Sequence, residues 1–564
     1  TQDAYYPKKY TEAGTFNNGQ GVINNWEGQN FVTENYANFQ KLVADRHDIG
    51  IMIGHSYEYY MSRSSYLQAN DFVNEALKNE NMSAGNPEKN VISNGYSESK
   101  LLSYMARMNY TYNNKYLLTF TSRADASSKF GKDNRWAFFP SGAVSWKAHE
   151  ENFIKNLNLF DELKFRFSYG ISGNQGISPY QTLSRYGTGK YYNDGNWVTT
   201  IGPGYVSGWT GPGWIYRVWS GIPNPGLKWE TTAQSDFGID LGFFNRRLRV
   251  TFDYYNKSTY DLLRERNLAL SSGYDKMWVN DGKLRNRGIE LTVDGIILDN
   301  NDWTLSGTFI FSKNKNKVLD LGNTLESGLI TNERTGLLFE YSGNNLEQYR
   351  GYTNILAIGH PVNVFYGYKT DGIIQTLAEG LEAGLTGDYA MPGEYKYVDL
   401  DKNGVVDEND KDVIGDPNPD FTGSLSLNAR WRNFDAEIFL YGVVGNDVVN
   451  TQAFNQPSNQ PLRWTPDNPT NKYPSLRDGR QVMFSDWWIE DGSFLRVQNL
   501  TLGYTIKLPK EKIVASKLRL YVNASNLYTF TKFKGYDPEV DLLGVYYGGY
   551  PRLRNWTFGI DITF

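Results

Sequence analysis

The chain has 564 residues, carries a formal net charge of −5 and contains no cysteine. The charge balance and the lack of a basic block argue against a nucleic-acid partner, and the missing cysteines exclude disulfides and thiol chemistry. No apolar run reaches the roughly 18 residues that a transmembrane helix requires, so a helical membrane span is excluded. Aromatic residues make up 15% of the chain, and the 41 tyrosines suit membrane interfaces and sugar-lined pores alike.

The first clear element in chain order is a pair of alternating segments joined by a short turn. Apolar and polar residues alternate over residues 102–112, Asn113 and Asn114 follow, and the alternation resumes over residues 116–123. Strict alternation indicates strands with one apolar and one polar face. We therefore predict a β-hairpin here.

Similar alternating segments recur at residues 163–169, 248–254, 500–506 and 518–522, the second after an Asn245-Arg246 turn. The whole chain is predicted to hold about 16 such strands. Soluble sheets of this size split into domains, whereas a membrane barrel grows with strand number and lines its lumen with the polar positions. The last segment, residues 556–564, alternates strictly and is predicted to be a barrel strand whose apolar side chains face lipid.

Two long connections, residues 170–228 and 450–492, are rich in aromatic residues and resemble the extracellular loops of barrels. Aromatic faces stack on sugar rings, but aromatic loops also pack on themselves or bury against a partner protein. Trp487 and Trp488 are equally compatible with a membrane-interface girdle. The candidate substrate- or partner-contact residues are Tyr191, Tyr192, Trp197, Tyr205, Trp209, Trp214, Tyr216 and Trp219.

The sharpest local motif is an acidic loop at residues 399–410. Its oxygen-bearing side chains are spaced as in an EF-hand loop, with Gly404 where that loop turns sharply, although Asp410 replaces the usual Glu and no flanking helices are evident. The alternative is an acidic loop rich in Asx turns that holds no ion. The predicted ligands of a structural Ca²⁺ are Asp399, Asp401, Asn403, the Val405 carbonyl, Asp407 and Asp410.

Signatures of catalysis are weak. The four histidines, at positions 47, 55, 149 and 360, do not have the spacing of a zinc motif. The chain contains neither a phosphate-binding loop nor a nucleophile elbow. We therefore predict that the chain is not an enzyme.

Seven stretches, in this order and spacing, carry a family resemblance. They are YLLTFTSRADASSKFG from Tyr116, FFPSGAVSW from Phe138, LKFRFSYGISGNQGI from Leu163, FDYYNKSTYDLL from Phe252, IGDPNPDFTGSLS from Ile414, DGSFLRVQNLTLGY from Asp491 and NASNLYTFTKFKGYDPEV from Asn523. Together they resemble the SusC/RagA family of TonB-dependent outer-membrane transporters of Bacteroidetes-type bacteria. The resemblance covers nearly the whole chain.

The resemblance implies an all-β transmembrane antiparallel barrel with long extracellular loops, in the outer membrane of a Gram-negative, Bacteroidetes-like cell. Residues 1–564 would be the C-terminal part of a plugged barrel of about 22 strands, with the plug and the N-terminal extension outside this sequence. Phe564 would be the signal that the assembly machinery recognises. The implied partners are a SusD-like surface lipoprotein, TonB–ExbB–ExbD acting through the N-terminal part, outer-membrane lipid, and an oligosaccharide or peptide substrate.

The function that follows is TonB-dependent import of a nutrient oligomer, glycan or peptide, by the SusC-like channel of a SusCD-type complex. One alternative is a surface glycan- or peptide-binding or assembly component without transport of its own. Another is a large soluble β-rich carbohydrate enzyme, against which the strand at residues 556–564 argues. A plug and a TonB-contacting segment in the full-length protein would separate the first two functions.

Overall fold

The computed structural model describes residues 2–193, 196–203, 205–206, 218–219, 221–268, 276–322, 329–346, 351–453, 461–476, 482–509 and 514–564. One antiparallel sheet of 16 strands dominates this part of the chain. Its strands are β1 Gln2–Tyr6, β2 Gln20–Val43, β3 His47–Asn70, β4 Val91–Tyr112, β5 Tyr116–Ser127, β6 Trp136–Lys147, β7 Glu162–Asn174, β8 Glu230–Phe243, β9 Leu248–Tyr260, β10 Lys283–Asp299, β11 Trp303–Asp320, β12 Phe421–Trp431, β13 Phe434–Val444, β14 Phe494–Lys507, β15 Lys517–Thr531 and β16 Asn555–Thr563.

These strands lie in the sheet in chain order, so each of β2 to β15 pairs with the strand before it and the strand after it. The architecture is an up-and-down meander, and the prediction of an all-β fold built on one large antiparallel sheet is confirmed. No helix in the part of the chain that the structure describes is long and apolar enough to cross a membrane.

The remaining elements are short and lie in the connections. The α-helices are α1 Glu12–Phe16, α2 Asn152–Lys155 and α3 Leu377–Glu382, and the 3₁₀ helices are Lys78–Ala84, Pro87–Lys89, Lys132–Asn134, Ala148–Glu150, Gly387–Ala390, Glu408–Asp410 and Asp486–Trp488. The short strands are Tyr186–Asn193, Asn196–Pro203, Tyr205–Val206, Val218–Trp219, Gly221–Ile222, Leu263–Asn267, Lys276–Asn280, Ile330–Asn332, Leu337–Leu346, Gly351–Ala357, Val364–Gly367, Thr370–Ile373, Tyr395–Tyr397, Asp412–Gly415, Asp447–Asn450, Ile489–Asp491 and Val545–Tyr546.

The two ends of the sheet differ in the length of their connections. At one end β4–β5, β8–β9, β10–β11 and β12–β13 are joined by tight turns, whereas the other end carries the long connections, such as residues 321–420 and 445–493. The predicted turns are confirmed, because Asn113 and Asn114 have φ of 51° and 56°, and Asn245 and Arg246 have φ of 57° and 59°. Such left-handed pairs match the twist of tight hairpins. Short turns mark the periplasmic end of a barrel and long loops its extracellular end.

The outer face of the sheet is apolar over the part that spans the membrane. On β16, Trp556, Phe558, Ile560 and Ile562 share one face and are between 52% and 79% exposed. At the short-turn end an aromatic row crosses four strands, since the ring centroids of Trp303 and Trp431 are 5.6 Å apart, those of Trp431 and Phe434 5.8 Å, and those of Phe434 and Tyr504 4.6 Å. Aromatic rows of this kind lie at the membrane interface of transmembrane barrels.

The inner face is polar and carries networks of ion pairs. Arg166 on β7 lies 2.9 Å from a carboxylate oxygen of Asp240 and 2.9 Å from one of Asp253, on the two following strands. Arg519 on β15 similarly contacts Asp435 at 2.6 Å and Asp561 at 3.1 Å. An apolar outer face and a charged inner face are what a barrel with a hydrated lumen requires.

Candidate functional site

At the long-loop end, three connections fold together into a compact body. Residues 321–420, 445–493 and 532–554 jointly supply a buried hydrophobic cluster, which we call the loop core. The loop core consists of Phe365, Tyr368, Ile373, Ile374, Leu385, Ala390, Tyr395, Tyr397, Val449, Ala453, Val482, Phe484, Trp488 and Val545. Because one cluster draws on all three connections, each loop is held in place by the other two.

The loop core resolves one question that the sequence leaves open. The Trp488 side chain is only 4% exposed, and its ring centroid lies 4.9 Å from that of Trp487 and 6.4 Å from that of Tyr395. Trp487 packs against the same cluster. These two tryptophans therefore build the loop core and do not form a membrane-interface girdle.

Beside the loop core lies a cavity of about 480 Å³, which we call the tyrosine pocket. Its volume falls within the range of small-molecule sites. Tyr341 and Tyr352 stack there with ring centroids 5.4 Å apart and an interplanar angle of 19°. The lining residues are Tyr341, Asn345, Gly351, Tyr352, Tyr366, Tyr368, Tyr389, Glu408, Lys411, Met483 and Phe484.

One cation organises the aromatic wall of the tyrosine pocket. The Lys411 ammonium lies 5.4 Å from the ring centroid of Tyr368 and 5.8 Å from that of Tyr341, within cation–π distance. It also pairs with Glu408 at 2.7 Å. Burial, reinforced by the Glu408 charge, raises the pKa of Tyr341 to about 12, and burial likewise raises the pKa of Tyr366 to about 12. Both phenols are protonated at neutral pH, as an ordinary tyrosine also is, and can donate hydrogen bonds.

The acidic loop, residues 399–410, borders the tyrosine pocket, because its residue Glu408 lines the cavity. The structure brings Asp399, Asp401 and Asp410 together so that one oxygen of each lies within 4.8 Å of the others. Two oxygens on opposite sides of one Ca²⁺ are about 5 Å apart, because Ca–O distances are about 2.3–2.6 Å. The spacing and the hard oxygen donors therefore fit a single calcium ion. Gly404 has a φ of 88°, the left-handed conformation that the sharp turn of such a loop requires.

The same carboxylates also accept backbone hydrogen bonds. Asp410 is fully buried and accepts the N–H groups of Leu400 at 2.7 Å, Asp401 at 3.2 Å and Asp407 at 2.8 Å. Three of its roughly four acceptor positions are used, which leaves one for a cation. For Asp399, burial alone would raise the pKa, but the N–H groups of Gly404 and Lys402 outweigh it and lower the pKa.

Two of the predicted calcium ligands, Asp407 and Asn403, accept backbone hydrogen bonds outside the three-carboxylate group. The Asp407 carboxylate caps the 3₁₀ helix Glu408–Asp410 by accepting the N–H of Asn409 at 2.7 Å, and it is not part of the three-carboxylate group. The Asn403 side-chain oxygen accepts the N–H of Val405 at 2.8 Å. The three carboxylates are therefore the part of the predicted ligand set that the fold brings to one point.

A buried arginine fastens the last long loop to the sheet. Arg496 on β14 is 1% exposed, and its guanidinium lies 2.7 Å from Asp537 and 2.5 Å from Glu539. It also donates to the Thr529 hydroxyl at 2.9 Å. Arg552 pairs with the same two carboxylates at 2.9 Å and 2.8 Å, which completes a network of four charges. We call this network the arginine clamp.

Comparison with known proteins identifies the family to which this architecture belongs. Residues 1–372 match the family described as "TonB dependent receptor-like, beta-barrel". The chain belongs to this family of TonB-dependent receptor barrels. It is 34% identical over 98% of its length to TonB-dependent receptor P3 of Formosa agariphila, and 28% identical over 90% of its length to TonB-dependent receptor SusC of Bacteroides thetaiotaomicron.

A solved structure agrees with the sequence comparisons. The RagAB peptide transporter is 25% identical and superposes with a TM-score of 0.78, covering 97% of this chain and 56% of that chain. The chain covers 54% of receptor P3 and 50% of SusC, so it spans about half the length of the relatives it matches. TonB-dependent receptor barrels are outer-membrane proteins and not enzymes, and the fold, membrane location and non-enzymatic class predicted from the sequence are thus confirmed.

The predicted aromatic contact residues of this TonB-dependent receptor barrel stay predictions. Trp209, Trp214 and Tyr216 lie outside the described residues. The others lie on short strands for which the backbone alone is described, with Tyr191 and Tyr192 paired to Val198 and Trp197, and Tyr205 paired to Trp219. The role of Phe564 as an assembly signal and the division of a longer protein around residues 1–564 also stay predictions.

Sequence reasoning missed the tyrosine pocket and the arginine clamp. The pocket tyrosines are scattered between positions 341 and 389 without a period or a motif, so no local pattern links them. For the arginine clamp the sequence does contain a signal, because the stretch with Arg496 and the stretch with Asp537 and Glu539 both resemble the SusC/RagA family. Arg496 and Asp537 are 41 residues apart in sequence, and only the pairing of β14 with β15 brings them into contact.

Proposed function

We propose that this chain forms the membrane-spanning wall and extracellular loop body of a TonB-dependent importer for a nutrient oligomer. The observation that supports this most is the 16-stranded sheet with a polar inner face, in a chain of the TonB-dependent receptor-like family. Energy would come from TonB–ExbB–ExbD through an N-terminal part beyond residues 1–564. The channel would correspond to SusC in a SusCD-type complex.

The tyrosine pocket supports a glycan or peptide as the oligomer. Stacked phenol rings offer faces to sugar C–H groups or to peptide side chains, and protonated hydroxyls beside a Lys–Glu pair offer polar contacts. RagAB, whose structure this chain resembles, is named a peptide transporter. The chemistry of the pocket suits both oligomer classes.

Uptake and binding, measured separately, test this function. The full-length transporter should take up a labelled oligomer only in cells that contain TonB, while it binds that oligomer with or without TonB. Tyr352→Ala and Tyr389→Ala should each weaken binding about fivefold, since an aromatic contact contributes about 1 kcal/mol. Tyr10→Ala, at a tyrosine that is 80% exposed and outside the pocket, is the control. Binding without any TonB-dependent uptake would favour a capture component instead.

We also propose a SusD-like surface lipoprotein as a partner. Within residues 532–554, Tyr536 is 75% exposed, Leu542 90%, Tyr550 102% and Leu553 73%, and clustered exposed apolar side chains indicate a protein contact. RagAB is also named a peptide importer with a closed-closed state. A lid that opens and closes would hold a large ligand while transport proceeds.

Co-purification from the native membrane in mild detergent tests the partner. The double substitution Tyr536→Ser and Leu542→Ser should reduce the amount of retained lipoprotein at least tenfold. The control substitution Leu381→Ser lies in a different loop, on a side chain that is 55% exposed. Equal retention by both variants, or the absence of any lipoprotein from the wild-type complex, would contradict a lid that docks on this loop.

We propose, finally, that the acidic loop binds a structural Ca²⁺. Asp399, Asp401 and Asp410 would be the carboxylate ligands, and the ion would fix the loop beside the tyrosine pocket. Calorimetric titration of the full-length protein with CaCl₂ should give a Kd of about 10⁻⁵–10⁻³ M. Asp399→Asn combined with Asp401→Asn should abolish the heat, whereas Glu382→Gln, at a nearby exposed carboxylate, should not. Identical titrations for both variants would contradict the site.

A further inference from the structure

Two neighbouring strands carry five cations on one face. The continuous register between β10 and β11 pairs Ile289 with Lys313, Arg287 with Lys315 and Arg285 with Lys317. Because side chains alternate along a strand and no bulge interrupts this stretch, all five cations point to the same side of the sheet. We call Arg285, Arg287, Lys313, Lys315 and Lys317 the cationic patch.

The cationic patch faces outward, away from the lumen. On β11 the same face carries Trp303, Leu305, Phe309 and Phe311 before it reaches Lys313. The opposite face is the polar inner one, where Tyr255 donates to Asn314 at 3.1 Å and Asn314 donates to Asn286 at 3.0 Å. The strand therefore changes from an apolar to a cationic outer surface between Phe311 and Lys313.

Measured along the membrane normal, the switch from apolar to cationic residues on β11 coincides with the extracellular edge of the apolar band. Trp303 belongs to the aromatic row at the short-turn end, and Lys313 lies ten residues further along β11. Ten residues span about 33 Å of strand, which is about 25 Å along the membrane normal at a tilt of about 40°. The apolar band of an outer-membrane barrel is about 25 Å tall. Lys313 thus lies at the extracellular edge of the band, with Lys315 and Lys317 beyond it.

Within the part of the chain that the structure describes, the five charges are not neutralised by carboxylates. Among the described residues, no carboxylate lies within ion-pair distance of any of them, and Arg287 donates a hydrogen bond to the neutral Asn256 at 2.9 Å. The next outward cation, Lys283, pairs with Asp320 at 3.8 Å and marks the limit of the patch. The neighbouring strand β9 presents Asn256 and Ser258 at this height, so the positive charge is confined to β10 and β11.

We propose that the cationic patch binds the phosphate groups of a phosphorylated glycolipid in the outer leaflet of the membrane. Charges in hydrocarbon are costly, but cations at the headgroup level are attracted to anionic lipid. Lysine and arginine side chains on adjacent strands are close enough to share one phosphate or to contact two on the same lipid. This inference depends on the outer-membrane location of the barrel and is independent of what the barrel transports.

Lipid binding to the full-length protein in detergent tests this proposal. Native mass spectrometry with added phosphorylated lipid A should show a bound adduct whose affinity falls at least about tenfold in the Lys313→Gln, Lys315→Gln, Lys317→Gln variant. Replacing the same three lysines with arginine should preserve the adduct. Dephosphorylated lipid A should bind wild type and the glutamine variant equally weakly.

A matched control removes three cations from the inner face, by Lys257→Gln, Arg249→Gln and Arg430→Gln, and should leave the lipid adduct unchanged. Equal lipid binding by the wild type and the outer-face glutamine variant would overturn the proposal. It would also be overturned if that variant lost a co-purifying protein while its lipid affinity stayed the same, because the patch would then be a protein interface. Variants are compared only after heat-modifiability on gels shows that each barrel is folded.

Discussion

Arg496 shows how much can depend on one side chain when its charge is buried. In the arginine clamp, Asp537 and Glu539 are balanced by Arg552 and by the Arg496 guanidinium, which is 1% exposed. Without Arg496, Arg552 would be the one cation of the clamp left to balance two carboxylates. We predict that Arg496→Met destabilises the attachment of residues 532–554 by about 3 kcal/mol, since removing one partner of a buried ion pair leaves uncompensated charge. Hydrogen exchange of that segment should rise by about a hundredfold.

The control for this prediction is an exposed pair at the other end of the sheet. Arg432 and Asp302 are 65% and 53% exposed, so Arg432→Met should cost no more than about 1 kcal/mol. Similar exchange rates for the last loop in Arg496→Met and Arg432→Met would contradict a holding role for the clamp.

Asp410 is the second residue on which local order depends. It accepts three backbone N–H groups with no solvent exposure, and an asparagine there would turn one acceptor oxygen into a donor. We predict that Asp410→Asn destabilises the acidic loop by about 1–3 kcal/mol. The amides of Leu400, Asp401 and Asp407 should then exchange at least tenfold faster, measured without added calcium. Unchanged protection of these amides would show that the carboxylate is not what holds the loop.

At the level of the strand, register decides which substitutions the barrel tolerates. Leu427 and Asn428 are adjacent on β12, with Leu427 opposite Gly307 on the apolar outer face and Asn428 opposite Ser306 on the polar inner face. We predict that Leu427→Arg destabilises the barrel in lipid by about 2–4 kcal/mol, whereas Asn428→Arg has little effect. Urea titration of the full-length protein in bilayers measures both. Equal destabilisation would mean that the two faces are not lipid and lumen.

The strands that could be read from the sequence are those with strict alternation. The hairpin of β4 and β5 was predictable because alternation flanks an Asn-Asn turn with left-handed φ values. Strands β2 and β3, each 24 residues long, lack strict alternation, since Phe31 and Val32 are both apolar and exposed and neighbouring polar residues occupy both faces. The strand conformation of β2 and β3 is stabilised by pairing, of β2 with β3 and of β3 with β4, and is not specified by the local sequence.

At the scale of the whole molecule, the loops that carry the candidate site are the least predictable part. The acidic loop could be found because its carboxylates are close in sequence. The tyrosine pocket combines residues 341–411 with residues 483–484, and the loop core adds Val545, so both arise from packing between distant segments. Hydrophobic packing of this kind has no period, and only the fold brings its members together.

The loop core also makes the three long loops a single mechanical unit, and this gives the last prediction. Trp488, on the 445–493 loop, is 4% exposed and packs among residues of the 321–420 loop and near Val545 of the 532–554 loop. We predict that Trp488→Ala destabilises the unit by about 3–5 kcal/mol through the cavity it leaves. Limited proteolysis should then cut all three loops at similar rates, because they share one core.

The matched control for Trp488→Ala is Leu381→Ala, whose side chain lies in α3 of the same unit and is 55% exposed. It should change stability by no more than about 0.5 kcal/mol, and the cleavage pattern should match wild type. If Trp488→Ala opened the 445–493 loop alone while residues 321–420 and 532–554 stayed protected, the loops would be independent. Ligand binding in one loop could not then be communicated to the others through the shared core.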